Sequence, residues 1–221
     1  MAEVENSKDL ISVLWSGADI LRSKMDANEY KDYLLGIVFY KYLSDSFLIK
    51  VYDLLYDEKP GSLKEALDAY KEALEDESAE ELKEQLTEEC HYVMEPELTY
   101  TYFADAARNN SFNREQLQKG FNNIEQSDPI FADLFTDIDL YSNRLGTGDQ
   151  KQSDTIASLI KEIDKADLLN SDAEILGNAY EYLIGQFASE TGKKAGEFYT
   201  PQAVSKILTR IAISGQEEKK G

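Results

Sequence analysis

The chain has 221 residues and a mass of 25.0 kDa, enough to bury a full core in one domain or one domain plus part of another. Its 43 acidic residues against 23 basic ones give a formal charge of −20, so the average surface repels a phosphate backbone and autonomous DNA binding is not expected. An apolar content of 42 % with four prolines excludes a disordered acidic tail or a proline-rich linker, and one cysteine with one histidine excludes an internal disulfide and the usual structural zinc set.

In chain order, the N-terminus has no basic stretch followed by an apolar one, and apolar runs such as 34–40 fall far short of the ~20 residues of a spanning helix. The reading is of a folded, mainly helical, cytoplasmic chain with no membrane segment. From Ser7 to Ser23, Leu10, Leu14, Ala18 and Leu21 recur at helical spacing, which predicts an amphipathic helix with Ser7 as N-cap and Trp15 as a core anchor. A longer helix is predicted from Asn28 towards Leu55, ended by Lys59-Pro60-Gly61; its wide apolar stripe makes it central.

Residues 62–91 hold eleven acids and three lysines. Ser62 with Glu65, and Ser78 with Glu81, have the spacing of a capping box, so two short helices are expected. A solvated face explains the acids; a partner-binding or DNA-mimicking surface is the alternative. Residues 98–103, Leu-Thr-Tyr-Thr-Tyr-Phe, have the β-branched and aromatic content of a short strand, or of an extended loop packed on the helices. Further helices are predicted over 113–125, 153–165 and 172–189.

Three motifs fall short of chemistry. Gly146-Thr-Gly148 follows no apolar strand and reads as a turn rather than a nucleotide loop. Asp128-Pro-Ile-Phe131 lacks the second proline of the Asp-Pro-Pro-Phe tetrapeptide of amino-methyltransferases. His91 has no second histidine to complete a metal site or to serve as a separate base, and reads as structural.

The informative stretch is Thr191 to Val204. Two glycines, Gly192 and Gly196, bracket a short basic loop; Thr200 then stands as an N-cap and Pro201 at the first helical position, with Val204, Ile207, Leu208 and Ile211 continuing as a helical stripe. Either a well-capped structural helix or a ligand site explains this, because the free amides at a helix start can receive a carboxylate or phosphate and the adjacent aromatics can wall an apolar or cationic group.

Gly196-Glu-Phe-Tyr-Thr-Pro201 followed by Val204 resembles the signature of the modification subunits of type I restriction systems, which are adenine-specific DNA methyltransferases. Phe39-Tyr-Lys-Tyr-Leu-Ser-Asp45, Phe131 to Leu140 with Asn143 to Gly146, and Gly177 to Ile184 are similar to further segments of that family in the correct order, so the resemblance spans about residues 7–213.

The resemblance implies a helical N-terminal domain over 1–170, and over 171–221 a connecting helix with the first helix of a truncated α/β, Rossmann-like methyltransferase domain. It implies S-adenosylmethionine as cofactor of the full-length subunit, with Glu197, Phe198, Tyr199, Thr200, Pro201 and Gln202 forming one wall of the pocket. The acidic glycine-rich loop and the tetrapeptide that holds the flipped adenine come later in the family, beyond Gly221, so no catalytic residue is assigned and the isolated chain is expected to be inactive. The implied partners are the specificity subunit, the restriction subunit, a second modification subunit, and DNA through the assembled complex, with Lys193, Lys194 and Arg210 among the few bases available to phosphates. The competing reading is a free-standing acidic helical interaction protein or DNA mimic.

Overall fold

A helix that is apolar on nearly every side has to be covered on every side, and the second helix of this chain imposes that requirement on the rest. The computed structural model describes residues 2–166, Gly177, Glu181 and 202–214. Its helices are α1 (Ala2–Arg22), α2 (Ala27–Tyr56), α3 (Leu63–Ala73), α4 (Ala79–Cys90), α5 (Tyr100–Arg108), α6 (Arg114–Ser127), α7 (Asp149–Ile163) and α8 (Gln202–Ser214), with no strand among the described residues. Tyr30, Leu34, Ile37, Tyr40, Phe47, Leu48 and Val51 of α2 are all fully buried, and they point in every direction around the helix. α1, α3, α4 and α5 pack directly on α2, while α7 lies against α1 and α5.

Local chemistry explains most helix ends and corrects some expectations. α1 begins at Ala2, so Ser7 is inside the helix and is not its N-cap. Trp15 is only half-buried and lies under the Arg22 guanidinium, 5.4 Å from its ring centre. The Ser62 hydroxyl accepts from the Glu65 amide at 3.2 Å, and the Glu65 carboxylate reaches back to the Gly61 amide at 2.8 Å, one residue before the position a strict capping box would use. Ser78 forms no such cap, because its backbone (φ −82°, ψ 1°) is already turned towards helix and its hydroxyl cannot swing over the first turn. Ser62→Ala is therefore expected to cost about 0.5–2 kcal/mol and Ser78→Ala close to nothing, a contrast that urea melts of the two variants measure. All eleven acids of 62–91 are exposed, in agreement with a solvated face.

Residues 98–103 are not a strand or extended loop. Pro96–Leu98 makes a single 3-10 turn, and Thr99 (φ −72°, ψ 150°) caps α5 by accepting from the Tyr102 amide at 3.3 Å. Tyr100, Phe103, Ala104 and Ala107 then bury one helical stripe against α2 and α7, and the Ser44 hydroxyl of α2 accepts from the Tyr100 amide at 2.7 Å. The intrinsic strand preference of Thr, Tyr and Phe is overridden by this burial, which only the 3.6-residue repeat can satisfy.

Five tyrosines of the core, Tyr33, Tyr40, Tyr70, Tyr92 and Tyr100, act as buried rods with a polar tip. Tyr92 donates to the Leu43 carbonyl at 2.8 Å, Tyr70 to Met94 at 3.0 Å, Tyr100 to Ile160 at 2.9 Å and Tyr33 to Asp139 at 2.7 Å, while Tyr40 donates to the Leu98 carbonyl. Each ring fills core volume and each buried hydroxyl finds its acceptor in a backbone carbonyl. Burial raises the phenol pKa of Tyr40, Tyr70, Tyr92 and Tyr100 above the ordinary value near 10. In the unfolded chain these phenols ionise from about pH 10, while in the folded chain they keep their protons. The stabilisation is thus complete below pH 10 and is lost as pH rises from there towards the folded values. We expect stability in denaturant melts to fall steeply above about pH 10; a flat profile from pH 9 to 11.5 would count against this account.

The 128–148 segment has little regular structure and is pinned by side chains. The Asp128 carboxylate accepts from the Ile130 amide at 2.9 Å to shape the turn at Pro129–Phe131, so the tetrapeptide 128–131 is a structural bend. Phe135 stacks on Phe121 with ring centres 4.3 Å apart and meets Tyr40 edge-on at 5.8 Å. Ile138 comes so close to Gly36 of α2 that a Cβ there would lie 2.0 Å from its Cδ1. Arg114, buried at the start of α6, donates to the Leu140 carbonyl, Gln152 Oε1 and the Asp149 carboxylate, and lies over the Tyr141 ring at 4.2 Å. Gly146-Thr-Gly148 is a turn, as read from the sequence; Gly148, at φ 89°, leads into α7 four residues before the expected start at Ser153.

Candidate functional site

Of the six residues assigned to a cofactor wall, Glu197 to Pro201 lie outside the described residues, as do the predicted N-cap Thr200 and the basic loop at Lys193 and Lys194. Gln202 opens α8. The first amides of this 13-residue helix cannot all bond within it, so its start presents N–H donors. The stripe expected from the sequence is exposed, Val204 at 44 % and Ile207, Leu208 and Ile211 at 57–65 %. Four apolar side chains on one face of an amphipathic helix need a cover, which the described residues do not supply. The predicted 172–189 helix is described only at Gly177 and Glu181, one turn apart, both helical and exposed.

Among the described residues a groove of about 670 Å³ opens beside α2. One wall is α2, through Asp32, Leu35, Gly36, Phe39 and Tyr42; the second is Leu134, Asp137 and Ile138; Gly177 and Glu181 add a third. Sequence reading missed this site. The available signal was Gly36, the one residue without a side chain in an otherwise bulky helical stripe, where Ile138 now sits.

Other chemistry-bearing groups are structural. His91 closes α4 in the left-handed conformation (φ 68°), with its ring exposed and Nδ1 3.6 Å from the Asp128 carboxylate. Burial raises the Cys90 thiol pKa, favouring the thiol over the thiolate against the opposing influence of the nearby Lys50. Among the described residues no group of three His, Cys, Asp or Glu side chains is placed to hold a metal, and no helix is long and apolar enough to cross a membrane.

Residues 10–163 match the HsdM N-terminal domain family, which is well over half of the chain. The chain belongs to that family. Residues 171–221 match a second family, the N-6 DNA methylases. The type I restriction enzyme MpnII methylase subunit of Mycoplasma pneumoniae is 28 % identical over 219 residues, covering 92 % of this chain and 39 % of its own length. The MjaVIII methylase subunit of Methanocaldococcus jannaschii is 29 % identical over 216 residues, covering 96 % of this chain and 33 % of its own. A crystal structure of the type I restriction-modification system methyltransferase subunit from Streptococcus thermophilus superposes with a TM-score of 0.89 at 51 % identity, over 97 % of this chain and 46 % of that one. The chain therefore spans roughly a third to a half of the length of the relatives it matches.

The helical architecture is thus that of the HsdM N-terminal domain, followed by the start of an N-6 DNA methylase domain. These matches do not favour a free-standing acidic DNA mimic. Within the motif Phe39 to Asp45, Lys41 and Asp45 form an ion pair at 2.6 Å, with both side chains 2 % exposed.

Proposed function

We propose that this HsdM N-terminal domain serves a DNA methyltransferase subunit that transfers a methyl group from S-adenosylmethionine to N6 of an adenine turned out of the duplex. The observation that carries the reading is the succession, along one chain, of an HsdM match over 10–163 and an N-6 DNA methylase match over 171–221. We place the boundary at residue 170, with 1–170 as the assembly domain and 171–221 as the connecting helix and first edge of the catalytic domain.

When bound, S-adenosylmethionine supplies an activated methyl group. The residues assigned to hold it are Glu197, Phe198, Tyr199, Thr200, Pro201 and Gln202. The start of α8 suits a carboxylate, because its first-turn amides lack helical partners, and two aromatic rings next to it in sequence suit the apolar parts of a nucleoside. The exposed stripe of α8 fits a helix whose cover is the sheet of the methyltransferase domain. The chain itself offers no residue for the transfer step, so the 221 residues alone are inactive, and their work is assembly with the specificity, restriction and second modification subunits in the cytoplasm. The excess of acid leaves phosphate contacts to those partners and to a few bases such as Lys193, Lys194 and Arg210.

The reading is tested by transfer of labelled methyl groups to adenine: the full-length subunit with its specificity subunit should transfer, and the 221-residue chain should not. In the full-length subunit Tyr199→Ala should weaken S-adenosylmethionine binding by roughly 1–3 kcal/mol with the cofactor-free melting temperature unchanged. Thr200→Ala should instead cost about 0.5–2 kcal/mol of stability as a lost N-cap. Unchanged cofactor affinity in Tyr199→Ala by calorimetric titration would remove that residue from the site.

A further inference from the structure

Among the described residues, the groove on α2 combines an apolar floor with acidic side chains on its walls. Asp32, Leu35, Gly36, Phe39 and Tyr42 fall on one face of α2 over about three helical turns, or roughly 15 Å. Leu35, Phe39, Tyr42, Leu134 and Ile138 give the floor, and Asp32, Asp137 and Glu181 contribute one carboxylate from each wall. No lysine, arginine or histidine lines the groove among the described residues. Between Asp32 and Tyr42 the one cation of α2 is Lys41, which is buried in its ion pair with Asp45, and residues 128–143 contain Asp128, Asp133, Asp137 and Asp139 and no cation.

We infer that this groove docks a segment of a partner protein that inserts aliphatic or aromatic side chains between lysine or arginine residues. The apolar floor requires an apolar anchor, since water gains nothing from covering it. The acidic walls select a cationic flank and repel nucleic acid. A second copy of this chain would bring a further charge of −20 to the same surface, which disfavours self-association there. The length of the groove matches a few turns of helix or a short extended segment. Its walls come from both matched regions, 10–163 and 171–221, so a docked segment touches the assembly domain and the start of the methylase domain together. The inference rests on the assembly role proposed above, because it takes the occupant from the subunits that the full-length protein joins.

The test uses the full-length subunit reconstituted with its specificity and restriction subunits. A photoreactive benzoylphenylalanine in place of Leu134, which is 36 % exposed at the groove edge, is irradiated in the assembly and the cross-linked peptides are identified by mass spectrometry. Cross-links to a segment of another subunit in which lysine or arginine flanks apolar residues support the inference; cross-links only to the subunit's own chain or to a second copy of it, or none, overturn it. In parallel, the double variant Asp137→Lys with Glu181→Lys should weaken association about tenfold, while the same charge change on the acidic hairpin, Glu72→Lys with Glu80→Lys, should change it less than about twofold. Equal effects of the two pairs would reduce the groove to general electrostatics and overturn the inference. If the groove variant does not fold, the cross-linking result decides. Absence of adenine methylation by the wild-type assembly would refute the proposed function while leaving the cross-links to be read on their own.

Discussion

Lys41→Met should destabilise the domain by about 3–5 kcal/mol, among the largest effects of any single substitution in it. Lys41 and Asp45 lie one turn apart on α2, each only 1–2 % exposed, with Nζ 2.6 Å from the Asp45 carboxylate. The ammonium also lies 5.0 Å from the centre of the Tyr100 ring and 4.0 Å from Asp164 of the segment after α7, which is itself paired with Arg108 of α5. The charge thus sits where α2, α5 and α7 converge. Removing it leaves the Asp45 carboxylate buried without its cation, and the protein must either accept a desolvated charge or protonate it. The cycle with Lys41→Met/Asp45→Leu separates the two costs: the double variant should recover most of the loss, because an apolar pair of similar volume suits a dry site. Urea unfolding of the two single variants and the double variant measures this, and a Lys41→Met variant within about 1 kcal/mol of wild type would show that the pair is hydrated in solution.

Arg114→Met should cost about 2–4 kcal/mol and should loosen one region selectively. The Arg114 guanidinium, in a side chain 6 % exposed, satisfies the Leu140 carbonyl and the Gln152 side chain and covers the Tyr141 ring. Gln152 in turn donates to the Tyr141 carbonyl at 3.1 Å. This one side chain therefore ties the first turn of α6 to the end of the irregular 128–148 segment and to α7. With a methionine there, the carbonyl and amide keep their burial and lose their donor, while the hydrophobic contacts of Phe135 and Ile138 persist. Hydrogen exchange should accelerate in 139–148 well beyond the global loss of stability, and α3 and α4, which share no contact with Arg114, should follow the global change only. Uniform acceleration throughout the domain would show that the segment is held by its apolar contacts alone.

These two sites show how much of the molecule could be read from the chain and where reading fails. α2 was legible because its apolar positions recur at helical spacing from Tyr30 to Leu55 and are followed by a proline-glycine pair. α6 was legible from its periodicity over 113–125, and the structure adds the cap, the Asn113 side chain accepting from the Glu115 amide at 2.8 Å. Lys41, Asp45 and Arg114, by contrast, look in the sequence like any charged residues on a helix, since nothing local records that another helix will lie over them. The candidate cofactor wall at 197–202 was legible only as a string of residue types and a family likeness; the groove on α2 was not legible at all, because its walls are separated by about a hundred residues.

The sequence by itself determined a helical domain and its acidic, solvated residues 62–91, because periodicity and charge act over one or two turns and need no knowledge of neighbours; the family was legible from the likeness of its motifs. The tertiary structure alone decided that 98–103 is helix. Thr, Tyr and Phe favour a strand in isolation, but α2 and α7 offer Tyr100, Phe103 and Ala104 a buried surface that matches a helical repeat, and burial of two large aromatic rings outweighs a propensity difference of roughly 1 kcal/mol. It also decided that Ser78 is no cap while Ser62 is, through a backbone angle that no side chain announces, and that Gly36 exists to admit Ile138, a contact between residues 102 positions apart that closes one end of the acidic groove.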